Sequence, residues 1–183
     1  MSDSNVKTTT ITNFLWRFAE RVGAQGVTFI VTIVLARLVT PNDYGTVALI
    51  TVILDILQVF VDSGLGNALI QKKEADDLDF SSVFYFNLLV GAVLYAGMFF
   101  FAPAIASFYG NPALIALIRF VSIRVLISAV KNVQQAYVSR QLIFRKFFYA
   151  TIGGTLISAV IGIWMAYKGF GAWAIGVQNI SNM

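Results

Sequence analysis

Long apolar runs follow one another along this chain, each interrupted by only a few polar positions. A helix that crosses the hydrocarbon core needs about 20 mostly apolar residues. Runs of that order cover residues 14–39, 46–70, 83–109, 113–137 and 147–167. A sixth begins at Ala172 and stops at Met183, too short to span. The intervening segments read as connectors. Thr40-Pro41-Asn42-Asp43-Tyr44-Gly45 predicts a tight turn, because Pro, Asn and Asp favour turn geometry and Gly relaxes it. Residues 71–82 predict a solvated loop, Gly110-Asn111-Pro112 a second turn, residues 139–146 a basic connector, and Lys168-Gly169-Phe170-Gly171 a third turn. The pattern predicts an all-α fold: a polytopic transmembrane helical bundle of five to six membrane helices, forming one unit over residues 1–183 that is truncated in its sixth helix.

Composition strengthens this picture. Hydrophobic residues make up 58% of the chain and charged ones 12%, against roughly 25% charged in average soluble domains. There is no Cys and no His. That removes disulfide and thiolate chemistry, together with the commonest metal ligand and the commonest general base near neutral pH. No phosphate loop, metal motif or nucleophile elbow is present, so no cofactor is expected, and nothing points to nucleic acid. Residues 1–16 lack the basic start, short apolar core and small-residue cleavage site of a signal peptide, so the first apolar helix reads as retained.

The net charge of +4 says less than where the charges sit. Loops must alternate between the two faces of the membrane. One face collects Lys7, Arg17, Arg21, Lys72, Lys73, Arg140, Arg145 and Lys146, while the other has only Arg37 and Lys168. Basic residues accumulate on the cytoplasmic side. The expected N-terminus is therefore cytoplasmic, and the turns at Pro41, Pro112 and Gly169 face outward.

Charges within the apolar runs carry the candidate chemistry. A charged side chain at the centre of a membrane helix costs about 2.5–3.5 kcal/mol on the insertion scale, so such residues are rare without a use. Arg17, Glu20, Arg21, Gln25, Thr28 and Thr32 recur every three or four positions and share one face of the first helix. Asp55, Gln58 and Asp62 share a face of the second. Arg124, Ser128, Lys131 and Gln135 share one of the fourth, with Arg119 roughly 140° from Arg124 at the helical period. Asn87, Gly91 and Tyr95 form a weaker stripe on the third. Such stripes avoid lipid by facing each other or water, which predicts a bundle around a polar cavity of mixed charge. Plainer readings stand beside this one. Arg17, Glu20 and Arg21 lie near a helix end and could snorkel to the headgroups. Asp55 could form a static pair with a basic residue of another helix. Lys131 could be an interfacial anchor. At least one of Arg119 and Arg124 is expected to face the cavity. The run Met98-Phe99-Phe100-Phe101 reads as lipid-facing bulk, and Gly91, Gly153 and Gly154 as points of close helix packing.

Several segments resemble a known family. Leu35-Ala36-Arg37-Leu38-Val39-Thr40-Pro41-Asn42-Asp43-Tyr44-Gly45 and Phe60-Val61-Asp62-Ser63-Gly64-Leu65-Gly66-Asn67-Ala68-Leu69-Ile70-Gln71 are similar to the first turn and second helix end of polysaccharide and oligosaccharide-lipid flippases. These belong to the multidrug/oligosaccharidyl-lipid/polysaccharide exporter superfamily. Val133-Gln134-Gln135-Ala136, Arg140-Gln141-Leu142-Ile143-Phe144-Arg145 and Gly169-Phe170-Gly171-Ala172-Trp173-Ala174 extend the likeness, which favours capsule and exopolysaccharide exporters. The resemblance implies two six-helix lobes, of which this chain is the N-terminal one without the second. It implies a lipid-linked oligosaccharide on an undecaprenyl-pyrophosphate carrier, moved across the bacterial inner membrane by alternating access with no bond made or broken. Partners so implied are membrane lipids, the missing C-terminal lobe and polysaccharide assembly proteins. Arg124, Arg119, Arg17, Arg21, Lys131 and Gln135 are then the candidate substrate-binding residues, and Glu20, Asp55 and Asp62 the candidates for ion coupling or charge pairing. Two alternatives remain: an ion-coupled multidrug exporter of the same superfamily, and a membrane-embedded glycan polymerase or ligase.

Overall fold

In the computed structural model the chain forms helices α1 (Asp3–Leu38), α2 (Pro41–Asp62), α3 (Leu65–Gln71), α4 (Asp77–Phe108), α5 (Leu114–Val121), α6 (Ile123–Gln141), α7 (Phe144–Tyr167) and α8 (Ala172–Ser181). The structure describes residues 3–62, 64–72, 76–141 and 144–183, with side chains at 15, 16, 18–62, 64–72, 76–140 and 148–183. The expectations at the side chains of Lys7, Arg17, Lys73, Arg145 and Lys146 lie outside these. Phe18–Leu38, Pro41–Gln71, Asp77–Phe108 and Phe148–Tyr167 are long and apolar enough to cross a membrane. The chain is an all-α, multi-pass membrane protein.

Helix starts differ from the sequence reading, and capping explains why. Thr40 accepts a hydrogen bond from the Asp43 amide at 3.2 Å and donates to Asp43 Oδ2 at 2.8 Å. Pro41 occupies the first helical position, where a missing N–H costs nothing. Residues 41–45 are therefore the first turn of α2 and not a loop. Asp76 and Asp79 form a reciprocal capping box at 2.9 and 3.2 Å. Helix α4 thus begins inside the segment expected to be a solvated loop.

Two of the expected spans are broken. The second is split into α2 and α3 at Gly64, whose φ of 77° lies in the left-handed region. The fourth is split at Ser122, whose hydroxyl donates to Ile118 O at 2.6 Å. The backbone stays right-handed there, and the Ser122 amide also donates to Ile118 O, at 2.9 Å. Arg124, Lys131, Asn132, Gln135 and Arg140 then make α6 too polar to resemble the other spans. It lies inside the bundle instead, packed on α2, α3 and α4.

The core is apolar and close-packed around α5 and α6. Leu54, Val61, Ile118, Val121 and Val125 are fully enclosed. Outside it, Phe29, Val59, Phe100 and Phe101 present their side chains outward, as a lipid-facing surface does. Met98 is the exception in its Phe-rich run and is buried in the core. Lipid tails are as apolar as Leu, so helices associate by close packing more than by the hydrophobic effect. Small residues allow it. A Cβ on Gly91 would sit 3.0 Å from the Ala129 Cβ, one on Gly176 3.0 Å from Val121 Cγ2, and one on Gly162 2.6 Å from the Gln178 Cβ. Gly153 and Gly154 differ from expectation: a Cβ on either meets nothing within 4 Å.

The three expected turns gather at one end. Asp43, Asn111 and Gly169 line one cleft there. A Cβ on Gly171, at the start of α8, would touch Asp43 Oδ2 at 2.8 Å. Lys72, Asp79 and Arg140 lie at the opposite end.

Candidate functional site

A polar seam joins α2 to α6. Arg124 Nη2 donates to Asp55 Oδ1 as an ion pair. Farther toward the Arg140 end, Asp62 Oδ1 accepts from Gln58 Nε2 at 2.9 Å and from Asn132 Nδ2 at 2.6 Å. Arg140 Nη1 donates to the carbonyls of Leu69 at 2.9 Å and Lys72 at 2.7 Å. It thereby satisfies backbone acceptors left free at the end of α3. The seam arises because acids at helical spacing on α2 meet cations and amides at helical spacing on α6.

Beside the seam lie three adjoining clefts. The first, about 380 Å³, is lined by Arg21 of α1, Asp62, Asn67 of α3, and Asn132, Gln135 and Ser139 of α6. The second, about 600 Å³, has Glu20, Arg21, Gln25 and Thr28 of α1 on one wall and Thr151, Thr155 and Asn182 on the other. The third, about 300 Å³, continues past Thr28 and Thr32 to Tyr44 and Thr51 of α2 and Gln178 of α8. Arg21 is shared by the first two, and Thr28 and Asn182 by the last two. The α1 stripe therefore borders three clefts that share residues and carry apolar as well as polar lining.

The residues singled out from sequence separate into groups. Arg21, Asp62 and Gln135 come together in the first cleft, and Glu20 is buried beside Arg21 in the second. Arg124 and Asp55 hold each other. Arg119 turns back to α4, where its Nε donates to Phe99 O at 3.2 Å and its guanidinium lies 4.0 Å from the Phe99 ring centroid. Lys131 is half-buried on α6. Arg17 belongs to α1, with its side chain outside the described residues.

Sequence reasoning missed Asn132, Asn67, Thr151, Thr155 and the amides of α8. Periodicity carried a signal for some of these: Thr151, Thr155 and Ser158 recur at three- and four-residue spacing on α7. Among the described residues no group of three or more His, Cys, Asp or Glu could hold a metal ion. The site offers amides, hydroxyls, the carboxylates of Glu20 and Asp62 and the exposed guanidinium of Arg21.

The chain is 29% identical over 174 residues to the succinoglycan biosynthesis transport protein ExoT of Rhizobium meliloti (strain 1021), covering 95% of this chain and 35% of that protein. It is 32% identical over 87 residues to the teichuronic acid biosynthesis protein TuaB of Bacillus subtilis (strain 168), covering 48% and 18%. It is 26% identical over 137 residues to the lipopolysaccharide biosynthesis protein WzxC of Escherichia coli (strain K12), covering 75% and 28%. The chain thus spans 35% or less of the length of each of these relatives. No solved structure matches it. Residues 34–183 match the model of the polysaccharide biosynthesis protein family, and the chain belongs to that family.

Proposed function

We propose that this chain forms one helical lobe of a flippase that carries a lipid-linked oligosaccharide across the cytoplasmic membrane. The carrier is a polyprenyl pyrophosphate. Transport proceeds by alternating access, with a second lobe opposite the clefts and no bond made or broken, so the protein is not an enzyme. The observation that carries this reading is Arg21, exposed where two clefts meet in a multi-pass helical bundle. Its planar guanidinium suits bidentate hydrogen bonding to phosphate oxygens. The names of the relatives, a succinoglycan transport protein among them, support the same class of cargo. Arg17 is assigned to guiding the headgroup toward Arg21, and Gln135 to the wall of the first cleft. Arg124 and Arg119 already hold Asp55 and Phe99, which favours architectural roles for both. The N-terminus is cytoplasmic in this proposal, because the end that carries Arg21, Lys72 and Arg140 is the basic one.

The test is complementation in a strain lacking its exporter for the same polymer. The full-length chain with Arg21→Gln is expected to lose export while its membrane abundance stays near normal. Arg21→Lys is expected to recover part of it, since Lys keeps the charge and loses the planar fork. Normal export by Arg21→Gln refutes the assignment of the headgroup to Arg21.

A further inference from the structure

We infer that Arg119 serves as the missing hydrogen-bond donor of α4: reaching over from α5, it closes the gap that Pro103 leaves in that helix. This role involves no cargo and is independent of the flippase reading above.

Pro103 lies inside α4. Proline has no amide N–H, so the carbonyl four residues earlier loses its helical donor. In α4 that carbonyl is Phe99 O. Phe99 and Pro103 are both exposed on the outside of the bundle, in a span long and apolar enough to cross a membrane. Water, the usual substitute, is absent from hydrocarbon. An unpaired backbone group is costly there, and the groups that a proline frees are satisfied from neighbouring helices. Arg119 supplies such a donor, since its Nε–H meets Phe99 O at 3.2 Å. Its target is the one carbonyl of α4 that Pro103 deprives of a donor. The ring of the same residue lies 4.0 Å from the guanidinium. Phe99 therefore holds Arg119 through its backbone and its side chain at once, and a ring–cation contact strengthens where water is excluded. Arg119 lines none of the three clefts beside the seam. Its charge within an apolar helix thus has a use that needs no ligand. Helix α5 follows α4 after the turn at Gly110 and packs back on it, so the same bond fixes the two helices against each other.

The test is the unfolding midpoint of the purified full-length protein in detergent, measured for single and paired variants. Arg119→Ala is expected to lower it by about 3 °C. Pro103→Ala restores the amide and is expected to leave the midpoint unchanged or to raise it. In that background the loss from Arg119→Ala is expected to shrink below about 1 °C, because Phe99 O regains a donor from its own helix. A Phe99→Leu background separates the two contacts, since it removes the ring and keeps the carbonyl. There Arg119→Ala is expected to retain most of its cost. No loss from Arg119→Ala, or an equal loss with and without the proline, overturns the assignment, as does a loss that vanishes with the ring. Failure of Pro103→Ala to accumulate also overturns it, since a restored helical bond should be tolerated. If Arg119→Ala alone does not accumulate, the double variant decides: abundance restored by Pro103→Ala supports the role, and abundance still absent refutes it.

Discussion

Arg124 on α6 and Asp55 on α2, 69 positions apart in the chain, meet as an ion pair within the helical bundle. Arg124 is 17% exposed and Asp55 58%, so the pair is sheltered on the arginine side and open on the other. Removing Asp55 strands the sheltered Arg124 charge, and removing Arg124 loses the link between α2 and α6. We predict that Arg124→Gln and Asp55→Asn each lower the yield and thermal stability of the purified protein. The swap Arg124→Asp with Asp55→Arg should recover part of the loss. A double-mutant cycle should give a coupling of about 1 kcal/mol. Additive single effects would show that the two side chains do not support each other.

Gly162 and Gly176 should resist substitution. A Cβ on Gly162 would overlap the stem of Gln178, and one on Gly176 would press on Val121 and Leu117. Crowding of a packed interface costs about 1–3 kcal/mol. Gly162→Ala is therefore expected to lower the unfolding midpoint in detergent. Gly153→Ala, where the added methyl meets nothing, is expected to be neutral or to stabilise by up to about 1 kcal/mol through helix propensity. Equal tolerance at the two positions contradicts this packing.

Thr40→Val removes both hydrogen bonds between Thr40 and Asp43. Loss of an N-cap costs about 1 kcal/mol. Asp43 also lies against the first residues of α8, so the defect should reach beyond α2. Hydrogen exchange should quicken at the amides of residues 42–44 and also of residues 172–175. Faster exchange confined to α2 would separate the two helix starts.

Because the chain contains no cysteine, single Cys replacements give a clean topology assay. Asn42→Cys and Asn111→Cys, at the end where the three turns gather, should react with an impermeant reagent added outside intact cells. Asp77→Cys should react only after permeabilisation. Labelling of Asp77→Cys from outside reverses the orientation.

Apolar runs revealed the helices because hydrocarbon demands an unbroken stretch of about 20 residues with its backbone paired within itself. They gave the ends of those helices poorly. Pro41, Asn42 and Asp43 have the composition of a turn, and the capping bond from Thr40 turns the same residues into a helix start. Ser122 is a single hydroxyl in an apolar context, and the interruption there leaves no mark on the apolar pattern. The polar stripe on α1 was visible at helical spacing, yet its opposite wall comes from Thr155 and Asn182, more than a hundred positions away. Arg119 and Arg124 looked alike in sequence. Their neighbours, Phe99 and Asp55, distinguish them, and those neighbours are set by tertiary packing.

The left-handed bend at Gly64 has a mechanical outcome. Helix α3 follows α2 in the chain, but Arg140 ties its carbonyls to α6, and the two helices meet at a left-handed Gly64 that favours glycine. For purposes of movement, α3 is cargo on α6. If α2 swings relative to α6, the two ties between them, Asp62 to Asn132 and Asp55 to Arg124, must both give. Spin labels at Asn67 and Gln134 should then keep a fixed separation through a transport cycle, while labels at Ile56 and Gln134 drift apart and return. A varying distance between Asn67 and Gln134 would show that the tether at Arg140 lets go.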